Sequence, residues 1–164
     1  MGPDILESLY CEHHGAALLY CITLCKDEQL AQDLVADAFV KAYLSLPDVV
    51  PSFRWWLLRV CRNLWIDHLR KRKKEVGEEA LKRLTAPDPP DSICIRNERN
   101  RILWQALGRL PDLDQELVTL HYFSGLSLKE AAKLLGLPYT AARQRIVRLR
   151  QTLRTYMEEQ GYGL

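Results

Sequence analysis

Apolar residues recur at steps of three and four along most of this 164-residue chain, which is the period of half-buried helices. A first helix is expected over 4–25. A second, over 28–46, has Leu30, Leu34, Val35, Ala38, Phe39 and Ala42 on its inner face. Pro47 and Pro51 then bracket a loop, because proline removes a helical donor and restricts the residue before it. Phe53, Leu57, Val60, Leu64 and His68 mark a third helical stretch, Phe53–Lys74, with a break expected near Arg62-Asn63 because asparagine disfavours helix interiors. The pattern stops over residues 75–91, where acids, Pro87, Pro89 and Pro90 indicate a linker.

Helical spacing resumes after it. Asp91-Ser92 suit a helix N-cap, and Ile95, Leu103, Leu107 and Leu110 line the helix that follows. A second helix is expected from Asp112 to Phe123. Ser127 and Glu130 form a capping-box signature that opens a short helix, Leu128–Leu135, ended by Gly136. The turn Gly136-Leu137-Pro138 leads into a long helix, Tyr139–Met157. A short helix, a glycine-bearing turn and an arginine-rich helix make a helix-turn-helix pattern. The expected fold class is therefore all-α: two small helical domains, 1–74 and 92–164, joined by a flexible linker, 75–91.

Charge adds the chemistry. The net charge of +2 conceals a sorted distribution. Residues 1–50 carry eight acids and two bases. Between residues 54 and 74, eight cations face only Asp67, and 139–154 holds five arginines and no acid. Such sorting suits one basic partner and one anionic partner. In FRWWLLRVCRNLWIDHLRKRKK the cations are interleaved with Trp55 and Trp56, a combination that suits nucleic acid, since charges hold phosphates and rings stack on bases. A solvated Lys/Arg helix end is the plainer alternative. On the second helix, Asp33 and Asp37 lie one turn apart near Val40, Lys41 and Leu44. That mixture fits protein docking, and equally a solvated surface. On the last helix, Ala142, Ile146, Leu149 and Leu153 fall together and face inward. Thr140, Gln144, Val147, Arg148 and Gln151 face outward, flanked by Arg143 and Arg145. Glutamine pairs with adenine, arginine with guanine or phosphate, and a valine methyl meets the thymine methyl.

Other classes find less support. No phosphate loop, HExxH motif or nucleophile elbow is present, so an enzyme is not expected. Five cysteines without a signal sequence fit reduced thiols. Cys21 and Cys25, spaced i, i+4 near Cys11, His13 and His14, offer a metal site as a minor alternative to core packing; no metal or cofactor is expected. The longest apolar run, Gly15 to Cys25, falls well short of the roughly twenty residues a bilayer requires. Asp4 and Glu7 stand where a signal peptide would be basic. A cytoplasmic protein without membrane insertion is expected.

Three segments, in order and covering nearly the whole chain, resemble an extracytoplasmic-function (ECF, group IV) sigma factor. AQDLVADAFVKAYLSL (Ala31–Leu46) is similar to the family's polymerase-binding helix. FRWWLLRVCRNLWIDHLRKRKK is similar to its promoter-melting and −10-reading segment. LGRLPDLDQELVTLHYFSGLSLKEAAKLLGLPYTAARQRIVRLRQTLR (Leu107–Arg154) is similar to its C-terminal helix-turn-helix. The resemblance implies a sigma region 2 bundle at 1–74, a linker at 75–91 and sigma region 4 at 92–164. It implies core RNA polymerase (the β′ coiled coil and the β flap), promoter DNA and an anti-sigma factor as partners.

By position, it assigns polymerase binding to Asp33, Leu34, Asp37, Val40 and Lys41. Contact with the −10 element falls to Phe53, Arg54, Trp55, Arg59, Arg62, Asn63, Arg70 and Lys71. Asn63 would lie beside the pocket for a flipped base, walled by loop Pro47–Phe53; extruding a base costs a few kcal/mol, so a preformed pocket is needed. Contact with the −35 element falls to Lys129, Thr140, Arg143, Gln144, Arg145, Val147 and Arg148. Two features depart from the family. Many members have a small residue at Trp55, and the Trp55-Trp56 pair is instead similar to that of housekeeping sigma factors. This implies Trp55 on DNA and Trp56 in the core, or both in the core. Thr140-Ala141-Ala142 replaces the frequent Gly-Thr-Val entry, which would shift the base contacts. Two readings compete: a free-standing helix-turn-helix regulator, and a metal or thiol sensor built on Cys11, His14, Cys21 and Cys25.

Overall fold

The structure, a computed structural model, describes residues 1–76 and 98–162. The chain forms two compact units, Met1–Ala86 and Pro87–Leu164.

In the first unit, α1 (Pro3–Cys25), α2 (Glu28–Ser45) and α3 (Phe53–Val76) pack against one another. Pro3 suits the first turn of α1, where an N–H has no helical partner. The helix ends at Lys26, whose backbone is left-handed at φ 58° and whose N–H bonds the carbonyl of Ile22 at 2.9 Å. Asp27 starts α2 at once: its carboxylate accepts the N–H groups of Gln29 and Leu30 at 3.0 and 3.2 Å. One residue thus closes α1 and the next opens α2, which makes a tight helical hairpin. Ala31, Ala38 and Ala42 are fully buried along α2, and their small side chains let the helix axes approach closely. Ala17, Tyr20, Cys21 and Ile22 of α1 and Leu57, Leu58 and Cys61 of α3 fill the remaining core.

Two expectations need correction here. α3 runs unbroken through Arg62-Asn63. Asn63 is exposed, so it costs the helix only its modest propensity penalty, a few tenths of a kcal/mol to about 0.7. The buried arc of α3 is Phe53, Leu57, Leu58, Cys61 and Trp65, whereas Val60, Leu64 and His68 are half-buried at its edge. Two helices pack on α3 rather than one, which widens and turns the arc. His68 stacks on Trp65 with centroids 5.8 Å apart.

In the second unit, the described part of the first helix, α4, is Glu98–Leu107. The expected cap at Asp91-Ser92 and the apolar Ile95 lie outside the described residues. α5 spans Asp112–Val118 and widens into a π turn, Thr119–Phe123, where a continuous α-helix was expected. The wide turn closes with Ser124 N–H on the carbonyl of Thr119 at 2.8 Å and Leu126 N–H on that of Leu120 at 3.1 Å. α6 is Leu128–Leu135 and α7 is Tyr139–Glu159. The capping box forms as expected: Ser127 Oγ accepts the Glu130 N–H, and Glu130 Oε1 accepts the Ser127 N–H, both at 3.1 Å. Gly136 takes φ 70°, a conformation that suits glycine, and lets Leu137 N–H bond the Ala132 carbonyl at 2.9 Å. α7 buries Ala142, Ile146, Leu149 and Met157, with Leu153 half-buried.

The capping box sets the start of the helix-turn-helix. Ser127→Ala should therefore destabilise this unit by about 1 kcal/mol, which for a domain of this size lowers Tm by roughly 4–8 °C. Calorimetry of the full chain should show the shift in one unit's transition only; an unmoved transition would mean the cap carries no stability.

Candidate nucleic-acid interface

The outer side of α2 exposes Asp33, Asp37, Val40, Lys41 and Leu44. Leu44 is 75% exposed and Val40 55%. Asp33 and Asp37, one turn apart, make this face acidic, with the two apolar side chains beside them. Leu34 is not part of it. At 5% exposure it shares the buried arc of Ala31, Val35 and Ala38, so its assignment to a docking surface gives way to a core role.

On α3, at about 100° per residue, Trp55, Arg59, Arg62, Asn63 and Arg70 share one arc, opposite the buried residues. Asn63 and Arg70 are exposed, while Trp55, Arg59 and Arg62 are half-buried. Asp67 lies 3.8 Å from Arg70, with both side chains mostly exposed. Such a pair is worth at most about 1 kcal/mol and leaves the face strongly cationic. Three of the expected residues lie off this arc. Phe53 is buried, its ring near those of His13, Phe39 and Trp56 at 5.3, 6.2 and 5.9 Å. Arg54 turns toward α1, where its Nε donates to His13 Nδ1 at 3.2 Å. Lys71 is exposed on another side of the helix. Trp56 is half-buried and stacks beside Phe53.

His13 was expected only as a neighbour of the cysteines. Its ring is buried, and because arginine only donates, Nδ1 must accept and the ring must be neutral. Burial depresses its pKa and the Arg54 cation depresses it further, while Glu12, 3.7 Å from Nε2, works the other way. Burial also depresses the pKa of His14. Both imidazoles are therefore neutral in the folded unit at pH values where the unfolded chain, titrating near the ordinary 6.5, already binds protons. The sign follows: stability is complete above 6.5 and falls as pH drops below it toward the depressed folded values. Urea melts at constant ionic strength should show the first unit weakening as pH falls from about 7 to about 5.5, with a shallower fall in His13→Asn. Equal slopes for parent and variant would remove His13 from the account.

Cys21 and Cys61 are buried and hydrogen-bonded to each other, and that bond, followed by burial, pushes the Cys21 pKa up. Cys25 Sγ donates to the Asp27 carbonyl at 3.2 Å, and burial pushes its thiol up to about 11. Cys11 is exposed. Among the described residues no three His, Cys, Asp or Glu side chains come together as ligands. Among them, too, no helix is long and apolar enough to cross a membrane.

In the second unit, α7 exposes Thr140, Arg143, Gln144, Val147 and Arg148 together, with Val147 60% exposed. Lys129 is exposed at the start of α6. Arg145 departs from the expectation. Its Nη1 donates to Asp114 Oδ1 at 2.8 Å, with Asp114 largely buried. That pair ties α7 to α5 and neutralises the charge, so Arg145 secures the angle of the helix. A glutamine, a valine and two arginines on one exposed helix face, presented behind a capped short helix and a tight turn, form a surface able to read base edges in a major groove.

The sequence matches the family models described as Sigma-70 region 2, over residues 9–75, and Sigma-70, region 4, over residues 100–153. The ECF RNA polymerase sigma factor RpoE of Cereibacter sphaeroides is 32% identical over 131 residues, covering 79% of this chain and 71% of that protein. The ECF RNA polymerase sigma factor SigM of Bacillus subtilis is 28% identical over 151 residues, covering 91% of this chain and 93% of that protein. The solved structure of sigma factor RpoE in complex with the anti-sigma factor NepR, from Bartonella quintana, shares the fold with a TM-score of 0.77 at 22% identity. That match covers 96% of this chain and 98% of the other.

Proposed function

Since the chain belongs to the ECF RNA polymerase sigma factors, and so acts in promoter recognition and transcription initiation, we propose that its faces divide that work among core polymerase and two promoter elements. The acidic face of α2, with Asp33, Asp37, Val40 and Lys41, docks on the basic β′ coiled coil, and the second unit meets the β flap. The arc of α3 takes the −10 element. Arg59, Arg62 and Arg70 hold phosphates, Trp55 stacks at the edge of the melted DNA, and Asn63 borders the flipped base beside loop Pro47–Phe53. α7 reads the −35 element through Thr140, Arg143, Gln144, Val147 and Arg148, with Lys129 on the adjoining backbone. Leu34 and Phe53 support these faces from the core. Membership of group IV and control by an anti-sigma factor belong to the same proposal; NepR sets the precedent by binding a sigma factor of this fold.

The observation that carries the division is the coexistence in one chain of two cationic faces with base-reading or stacking side chains and one acidic, apolar face. A free-standing DNA-binding regulator would leave the α2 face and the Trp55–Arg70 arc without a task.

Run-off transcription from a pool of genomic fragments, using sigma-free core polymerase, is the test. Discrete start sites that depend on the protein support the proposal, and their upstream sequences give both elements. No new transcript, with tight DNA binding in the absence of polymerase, would overturn it in favour of the free-standing regulator.

A further inference from the structure

Four arginines of α7 can be compared by what holds them. Arg145 is gripped by a carboxylate and is electrically spent. Arg143 and Arg148 project into solvent. Arg150 is different: it is exposed, yet two of its nitrogens are fixed. Nε and Nη2 both donate to the hydroxyl oxygen of Tyr122, at 3.1 and 2.8 Å, and the guanidinium carbon lies 6.0 Å from the centre of the Tyr122 ring. Tyr122 is itself 46% exposed.

A forked grip on an exposed side chain adds little to stability, because water satisfies the same groups. What it changes is orientation. A tyrosine hydroxyl is neutral, so the guanidinium keeps its full charge while losing much of its rotamer freedom before any ligand arrives, a cost of up to about 2 kcal/mol for a free arginine. Binding of an anion is strengthened to the extent that this ordering is already done. The location gives the ligand. Arg150 is seven residues, close to two turns, after Arg143, which places both on one edge of α7 about 10 Å apart along the axis. The π turn Thr119–Phe123 brings Tyr122 to that edge; such wide turns are frequent at functional sites.

We infer that Arg150 contacts a DNA phosphate flanking the −35 element and that Tyr122 is its positioning residue. The inference rests on the assignment of α7 to the −35 element and adds to it a residue pair that spacing along the sequence did not single out.

The test uses holoenzyme assembled from core polymerase and the full chain, with binding to a protein-dependent promoter fragment measured against salt. Arg150→Ala should weaken binding about 5- to 10-fold and lower the log–log salt slope by about 0.9, the signature of one lost phosphate contact. Tyr122→Phe keeps the ring and the arginine's charge, so it should weaken binding about 3-fold with the slope unchanged. In the Arg150→Ala background Tyr122→Phe should have no further effect. Arg143→Ala serves as the control for the underlying assignment. If Arg143→Ala weakens binding but Arg150→Ala leaves affinity and slope intact, the inference alone fails. If Arg150→Ala behaves as expected but Tyr122→Phe acts equally in both backgrounds, the positioning role fails. If neither arginine matters, the assignment of α7 fails with it.

Discussion

A chain carrying both Asp33→Lys and Asp37→Lys is expected to lose at least about 100-fold in affinity for core polymerase while unfolding at the same denaturant concentration as the parent. Both carboxylates are exposed on α2, and surface substitutions of this kind usually move stability by no more than about 0.5 kcal/mol. At a docked interface the arithmetic is different. Two unit charges about 4 Å apart interact by roughly 4 kcal/mol at an effective dielectric near 20, and reversing the sign turns attraction into repulsion. Every 1.4 kcal/mol is tenfold in affinity, so even a fraction of that for each residue reaches two orders of magnitude. The measurement is a competition for core polymerase against a labelled parent chain, repeated at higher salt, where the deficit should shrink. Unaltered competition would remove α2 from the polymerase interface and leave its exposed Val40 and Leu44 without a partner.

Removing Arg143 and Arg148 together should have an effect of similar size on promoter binding. A good bidentate side-chain contact to a base discriminates by about 1–3 kcal/mol. Two contacts, if additive, therefore place the expected loss between roughly 30-fold and about 20,000-fold, and transcripts that depend on the −35 element should fall in step. The salt slope should drop by up to about 1.8 if both side chains also release counterions. Arg145→Ala provides the contrast. With its charge already met by Asp114, its loss should lower the stability of the second unit rather than the salt slope. If the double variant binds the promoter as the parent does, the recognition surface lies elsewhere on the unit.

What could be read from the chain depended on how local the cause was. The capping box needs only Ser127 and Glu130, three positions apart, and Gly136 needs only its own freedom at positive φ, so the helix-turn-helix was visible in a dozen residues. Asn63 misled because helix propensity is a small term and three-helix packing outweighs it. The arc of α3 was displaced because its burial depends on where α1 and α2 sit, which periodicity within α3 does not encode. Arg54 and Arg145 looked like neighbours of the recognition residues. Their partners, His13 and Asp114, are 41 and 31 positions away, and no spacing rule spans that distance. Tyr122 and Arg150, 28 apart, escaped for the same reason. Leu34 satisfied both the inner-face pattern and the docking pattern, and only its burial separates the two roles.

The fully buried alanines of α2 would leave a mark on the genetics of this protein. Random substitutions that abolish transcription should fall on both sides of one helix and respond to opposite remedies. Enlarging Ala31, Ala38 or Ala42 crowds a closely packed seam, where added methylenes typically cost about 1–3 kcal/mol, and growth at lower temperature should rescue such alleles. Substitutions at Asp33 or Asp37 leave the chain folded, so cooling should do nothing for them, while raised expression should restore function by mass action. Sorting a collection of null alleles by cold rescue against dosage rescue would draw the boundary between seam and surface along α2, residue by residue, without a purified component.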